Sequence, residues 1–134
     1  SLKELKTSKL EENVYIYTGE TYNIDFEMIK DNFMEIFEVY LFRLVVGAND
    51  HCARNIIYNE NQFYSIDDHF MDEKVVSLNN LKMKRNLKEL WDKKIMENKE
   101  DIYSILLKWY KNPKTSKYWK RMCQVNSLLK NLDR

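Results

Sequence analysis

The chain has 134 residues, of which 44% are hydrophobic and 32% charged, and its net charge is +1. Such a length and composition are typical of one folded domain with a sizeable core, and they exclude a disordered tail. No apolar run approaches the roughly 20 residues that span a bilayer, and no signal-peptide pattern is present. Cys52 and Cys123 lack the spacing of a disulfide framework, so we expect an intracellular, cytoplasmic protein.

The two halves of the chain carry opposite charge. Residues 1–80 contain 7 Lys and Arg against 15 Asp and Glu, whereas residues 81–134 contain 15 against 6. The first half, with a net charge of −8, is therefore suited to holding cations. The second half, with a net charge of +9, is suited to meeting an acidic surface.

The first half is predicted to contain a short strand and one long helix. Residues 14–17 are β-branched and aromatic and are followed by Thr18 and Gly19, which is typical of a strand and a turn. A helix is predicted to start with Asn23 as its N-cap and to end at Gly47. Apolar residues recur along it at steps of three and four, which indicates one buried face: Phe26, Ile29, Phe33, Ile36, Phe37, Tyr40, Leu41 and Leu44.

A compact loop and a hairpin are predicted after this helix. Residues 55–58 and 62–66 are rich in β-branched and aromatic side chains, as in two short strands. Residues 59–61 lie between them and are predicted to form a tight turn.

The second half is predicted to be helical from Leu81 onward. Asn112 and Pro113 have the residue types of an N-cap and a first helical position, so the last helix is predicted to begin there. The chain is therefore predicted to be one α+β domain, predominantly helical. Three apolar stripes support these helices: Met83, Leu87, Leu90, Trp91 and Ile95; Ile102, Ile105, Leu106 and Trp109; and Tyr118, Trp119, Met122, Val125, Leu128 and Leu129.

Three polar residues bracket the loop and the hairpin in an order that suits phosphoryl transfer. That reaction needs an aspartate to orient or deprotonate the attacking hydroxyl, and two oxygen ligands to hold Mg²⁺ against the phosphates of ATP. Asp50 follows the buried helix, Asn55 comes five residues later, and Asp67 lies at the far end of the hairpin. Strand pairing would bring Asn55 and Asp67 together. The sequence therefore predicts Asp50 as the base and Asn55 and Asp67 as the metal ligands.

A family resemblance covers residues 36–70, about a quarter of the chain. Residues 45–57, V-V-G-A-N-D-H-C-A-R-N-I-I, resemble the catalytic-loop region of the phosphatidylinositol 3- and 4-kinases and their atypical protein kinase relatives. Residues 63–67, F-Y-S-I-D, are similar to the strand that leads into the metal-binding aspartate of that family. The resemblance implies a kinase-like C-terminal lobe with a small β-hairpin, in which Asp50 is catalytic and Asn55 and Asp67 bind Mg²⁺.

Several positions depart from the family pattern. His51 follows Asp50 directly, whereas the lipid-kinase relatives have an arginine between the aspartate and the histidine. Asp67 is followed by Asp68 rather than by a phenylalanine-glycine or similar pair. No glycine-rich loop or strand lysine is found that would clamp ATP. We therefore expect either a lobe whose N-terminal partner lies in the same or another chain, or a catalytically degenerate relic, a pseudokinase. The hydroxyl acceptor, whether protein, lipid or small molecule, is not specified.

Two other assignments stay open in this region. Asp68 would restore the family's usual spacing of thirteen residues from Asn55, which makes it the alternative to Asp67 as a ligand. His51, Cys52 and His69, together with the two aspartates, offer donor atoms that suit zinc, although their spacing matches no established zinc pattern. A metal-dependent hydrolase is thus a third hypothesis.

A basic and aromatic segment lies in the second half. In a non-catalytic binding module, such a segment would dock on nucleic acid or on an acidic protein. We favour the interpretation that the aromatic side chains are core and the lysines solvated, so nucleic acid is the less favoured partner. The basic residues are Lys111, Lys114, Lys117, Lys120 and Arg121, interleaved with Trp109, Tyr110, Tyr118 and Trp119.

Overall fold

A computed structural model describes residues 9–11, 14–15, 21–48, 56–59, 62–65, 74–79 and 83–132. The fold is α+β and predominantly helical, which confirms the predicted class. Within these ranges, four α-helices accompany short antiparallel strands. In chain order the elements are β1 (Lys9–Glu11), β2 (Val14–Tyr15), β3 (Thr21–Asn23), α1 (Phe26–Val46), β4 (Ile56–Asn59), β5 (Gln62–Ser65), α2 (Arg85–Glu97), α3 (Lys99–Lys111), a 3₁₀ turn (Ser116–Tyr118) and α4 (Trp119–Asn131).

Helix α1 is the centre of the core and packs against β5, α2 and α4. The predicted stripe is buried except at Phe26, which is 39% exposed because it lies in the first turn. The prediction of Asn23 as the N-cap was wrong, because Asn23 ends β3 and Asp25 caps the helix. The Asp25 carboxylate accepts a hydrogen bond of 2.9 Å from the Met28 amide. That bond satisfies one of the free amides of the first turn.

Helix α1 ends at Gly47, as predicted, and the structure shows this residue in the left-handed conformation. Gly47 has φ 85° and ψ 23°, a conformation that glycine adopts without the Cβ clash of other residues. The Gly47 amide donates to the Leu44 carbonyl, and the Ala48 amide donates to the Arg43 carbonyl at 2.8 Å. These two bonds form a Schellman motif, which fixes the direction in which the chain leaves the helix.

The main sheet has the strand order β3-β4-β5, and both pairs are antiparallel. Within it, β4 and β5 form the predicted hairpin, with Ile56 opposite Ser65 and Asn59 opposite Gln62. The connection is therefore residues 60–61, one residue shorter than predicted. The third strand, β3, was not predicted; it pairs Asn23 with Ile57. The strands β1 and β2 form a separate antiparallel pair.

An aromatic cluster joins α2 to α1. The ring of Trp91, which is fully buried, lies edge-on to Phe33 at 5.1 Å and to Tyr40 at 5.5 Å between centroids. Its indole Nε1–H donates to the Leu78 carbonyl at 3.3 Å, which ties the segment 74–79 to α2. Edge-on aromatic pairs of this kind add about 0.5–1.5 kcal/mol each beyond the burial of their area.

Helices α3 and α4 complete the core from the other side. Trp109 is buried and meets the Phe42 ring edge-on at 5.2 Å. The last helix begins at Trp119 rather than at Asn112, so that prediction was wrong in position. Asn112 nevertheless caps a turn, because its side chain accepts from the Lys114 amide at 2.9 Å. A buried Thr115 hydroxyl donates to the Trp109 carbonyl and holds this turn against α3.

Candidate functional site

The residues predicted to carry phosphoryl transfer lie outside the described part of the chain. They are Asp50, His51, Asn55, Asp67 and Asp68. The same is true of the further donors of the zinc alternative, Cys52 and His69. What the structure does describe is the set of elements that lead into and out of these positions.

The hairpin brings two of the relevant chain ends together. Ile56, the first residue of β4, is paired with Ser65, the last residue of β5. Paired residues in an antiparallel sheet have Cα atoms about 4.5–5.5 Å apart. Along the chain, Asn55 is the residue before Ile56, and Asp67 is the second residue after Ser65. Ile56 and Phe63 are both buried, so the hairpin is anchored in the core beside α1.

Helix α1 begins at this edge of the sheet. Because Asn23 is opposite Ile57, the helix starts at the end of the sheet where β4 starts and β5 finishes. Its N-terminus is capped there by Asp25. The other end of α1 contains Arg43, which is only 1% exposed, and the helix ends three residues before Asn49. Sequence reasoning had not singled out Arg43, although an arginine inside a long apolar run was a visible signal.

No protein-family model, curated protein or solved structure matches this chain. The assignment of a function therefore depends on the residues and their geometry. Within the described ranges, no group of three or more His, Cys, Asp and Glu side chains is arranged to hold a metal ion. None of the helices described is long and apolar enough to cross a membrane.

One carboxyl group on α2 has a perturbed pKa. Burial raises the pKa of Asp92 above its ordinary value of 3.8, while the positive charge of Lys88 and a hydrogen bond with the Asn79 side chain oppose the rise. Asp92 is adjacent to the buried Trp91 and contacts the segment 74–79 through Asn79. It therefore takes part in the contact between α2 and the segment 74–79.

The basic segment lies where α3 turns back into α4, and it is on the surface. Lys111, Lys114, Lys117 and Lys120 are exposed, and Arg121 is half-buried. Two lysine ammonium groups lie over neighbouring rings, Lys117 at 5.3 Å from the Tyr118 centroid and Lys120 at 5.7 Å from the Trp119 centroid. Contacts of this kind are worth about 0.5–1 kcal/mol at exposed sites.

The interpretation that the interleaved aromatic residues are core is correct for only part of the set. Trp109 is buried, and Tyr118 is half-buried against the core. By contrast, Tyr110 is 55% exposed and Trp119 is 49% exposed. Large apolar side chains with this exposure, next to lysines, are what a binding surface presents.

A groove between α3 and α4 was missed by sequence reasoning. Its volume is about 310 Å³, near the lower end for a ligand or side-chain pocket. The signal in the sequence was a second apolar row on α3, Tyr103, Leu107 and Tyr110, displaced from the buried row. We call this feature the α3–α4 groove, lined by Tyr103, Leu106, Leu107 and Tyr110 of α3 and by Met122, Cys123 and Asn126 of α4.

Proposed function

We propose that this chain is the metal- and phosphate-handling lobe of a kinase-type phosphotransferase that uses Mg²⁺ and ATP. The observation that carries the proposal is the pairing of Ile56 with Ser65. This pairing joins the start of β4 to the end of β5. Asn55 comes one residue before Ile56, and Asp67 comes two residues after Ser65. Amide and carboxylate oxygens are the donors that Mg²⁺ takes beside nucleotide phosphates.

The charge around this edge suits a bound cation. The first turn of α1 begins there, with Asp25 as its N-cap and Glu27 in the same turn. Both carboxylates belong to the half of the chain that has a net charge of −8, which favours Mg²⁺ at this edge.

Each proposed residue has a defined task in the transfer. Asp50 accepts the proton of the acceptor hydroxyl as its oxygen attacks the γ-phosphorus. The bond between that phosphorus and the bridging oxygen breaks, and ADP leaves. Asn55 and Asp67 would hold Mg²⁺, with Asp68 as the alternative ligand, and the metal would supply positive charge that neutralises charge developing on the phosphates. The adenine-covering lobe would come from the same or another chain. If that lobe is lost altogether, the chain is a degenerate relic of the same activity.

Phosphotransfer by the complete protein tests these roles. We expect Asp50→Ala and Asp67→Ala each to reduce ATP turnover by at least about a hundredfold, because each removes a group needed for positioning or charge stabilisation. Folding should be unchanged, since loop ligands contribute little to the core. A matched control is Asp101→Ala, on the exposed face of α3, which should leave turnover unaltered.

Unchanged turnover in both variants would rule out the assigned roles. Loss of structure in both, seen by circular dichroism, would instead mark the two aspartates as caps of the local turns. Loss of turnover on Asp68→Ala but not on Asp67→Ala would move the metal ligand to Asp68.

A second candidate function is a non-catalytic binding module whose basic half docks on nucleic acid or an acidic protein. The observation in its favour is the exposure of Tyr110 and Trp119 beside the lysines.

Salt dependence tests the nucleic-acid version of this function. If the five basic residues from Lys111 to Arg121 contact phosphates, the logarithm of the binding constant for RNA or DNA should fall with the logarithm of the salt concentration, with a slope of about −3.5 to −4.5. Lys114→Glu with Lys117→Glu should then weaken binding to all sequences alike, because phosphate contacts carry no sequence information. We expect no such binding at physiological salt, since the positive charge is spread over several elements.

A further inference from the structure

The α3–α4 groove is an uncharged strip on a highly charged molecule. None of its seven lining residues is acidic or basic, whereas 32% of the chain is charged. Leu107 and Tyr110 are 53% and 55% exposed, and the exposed Trp119 precedes Met122 by one helical turn. An apolar strip bounded by two helices has the shape into which the apolar face of a third helix fits.

The surroundings of the groove are predominantly basic. The first turn of α3 contains Glu100 and Asp101, but residues 102–132, which include the rest of α3 and the whole of α4, contain no Asp or Glu. The same 31 residues contain seven Lys and Arg: Lys108, Lys111, Lys114, Lys117, Lys120, Arg121 and Lys130. The helical pair therefore presents an excess of positive charge around an apolar centre.

This charge pattern selects among the occupants that an apolar groove could take. A second copy of the chain would bring two predominantly basic faces together, and like charges across an interface are unfavourable. A nucleic acid would satisfy the lysines but would leave the exposed Leu107 without an apolar partner. A helix with one apolar face and acidic flanks would contact the apolar lining of the groove and also pair with the surrounding Lys and Arg residues.

We propose that the α3–α4 groove docks an acidic amphipathic helix from a partner protein. The apolar side chains of that helix, spaced three and four residues apart, insert beside Leu107, Tyr110 and Cys123. Its carboxylates face Lys117 and Lys120 at the turn between α3 and α4. This inference does not depend on phosphoryl transfer, and it gives the basic half a partner even if the catalytic assignment fails.

Selection from a phage-displayed library of random peptides against the 134-residue chain tests the proposal. We expect the enriched peptides to combine Asp and Glu with apolar residues at three- and four-residue steps. Synthesised peptides should bind the Leu107→Glu variant at least about tenfold more weakly than they bind the original chain. The new carboxylate in the groove repels the acidic helix and disrupts its apolar contact. The matched control is Val76→Glu, at a position that is 69% exposed but lies outside the groove, and binding should be retained.

A charge swap provides a second readout that does not depend on an apolar substitution. The double variant Lys117→Glu with Lys120→Glu should bind the acidic peptides more weakly. Peptides with Lys in place of Glu should bind this variant better than they bind the original chain.

Three outcomes would each overturn the proposal: enriched peptides without acidic residues, an absence of enrichment, or binding unaffected by Leu107→Glu. So would displacement of the peptides by oligouridine RNA of higher affinity, which would assign the surface to nucleic acid. Self-association abolished by Leu107→Glu, measured by sedimentation, would assign it to a second copy.

Discussion

Two tryptophans with the same burial have different hydrogen-bonding roles. Trp91 and Trp109 are both fully buried, and each meets an aromatic ring of α1 edge-on. The indole Nε1–H of Trp91 donates to the Leu78 carbonyl, whereas that of Trp109 has no hydrogen-bond partner among the residues that the structure describes. Burial of a donor without an acceptor costs free energy, so only Trp91 gains from its polar atom.

This difference predicts that replacing tryptophan by phenylalanine lowers the free energy of unfolding by unequal amounts at the two positions. Trp91→Phe leaves the Leu78 carbonyl without its partner, and Trp109→Phe removes a buried donor that makes no bond. Both variants lose ring volume, so the comparison isolates the hydrogen bond. We expect Trp91→Phe to lower the free energy of unfolding by about 1–2 kcal/mol more than Trp109→Phe, measured by urea denaturation. Equal losses would show that the Trp91–Leu78 bond does not stabilise the fold.

Asp92 makes a pH-dependent contribution to stability, and its sign follows from the raised pKa. Because the folded state binds the proton more tightly than the unfolded state, stability decreases as pH rises from 3.8 through the folded pKa. Asp92→Asn removes this penalty. We expect the variant to be more stable than the original chain at neutral pH, with the difference vanishing below pH 3.8. Thermal unfolding of both proteins across that pH range measures the difference in stability. A difference that is the same at all pH values would contradict this prediction.

At the scale of elements, the helices and the β4–β5 hairpin were predictable from the sequence, and β3 was not. The stripes of α1, α2 and α3 repeat over several turns, and such repetition identifies a buried face from sequence alone. β3 has only three residues, and its partner β4 lies more than thirty residues away, so no local pattern marks it. Asn23 and Asp25 are equally suitable as an N-cap by residue type. Because Asn23 is paired in β3, the cap of α1 is Asp25.

The start of α1 offers a direct test of that cap. Asp25→Ala removes the acceptor for the Met28 amide and a negative charge at the positive end of the helix dipole. We expect a loss of about 1 kcal/mol in the free energy of unfolding. Asp31→Ala, at an exposed position six residues further along α1, serves as the control and should cost much less. Equal effects would contradict the assignment of Asp25 as the cap.

The end of α1 can be tested in the same way. Gly47→Ala forces a Cβ atom into the left-handed region at φ 85°, and we expect it to cost about 1–2 kcal/mol. Gly47→Asn should cost less, since asparagine tolerates this conformation better. Denaturant unfolding of the two variants gives the comparison. A smaller cost for alanine than for asparagine would contradict the left-handed end.

At the scale of the whole molecule, the two halves of the chain have opposite net charge. The acidic half contains the elements around the predicted metal ligands, and the basic half contains the α3–α4 groove. The candidate phosphotransfer residues were predicted from their order and spacing along the chain, and they stay a prediction because they lie outside the described residues. The groove could not be predicted in the same way. Periodicity separates buried from exposed faces, but it does not show that Tyr110 and Trp119 remain uncovered after α3 and α4 have packed.

The most direct test of the phosphotransferase account is where a divalent cation binds on this chain. Mn²⁺, a paramagnetic substitute for Mg²⁺, broadens the NMR signals of nearby amides. With Mn²⁺ in excess, we expect selective broadening at Ile56 and Ser65, with the amides of α3 and α4 unaffected. Asp67→Asn should abolish this pattern, and Asp101→Asn should preserve it. Broadening that is confined to other elements, or that persists unchanged in Asp67→Asn, Asp68→Asn and Asn55→Ala, would contradict a metal site at this end of the hairpin.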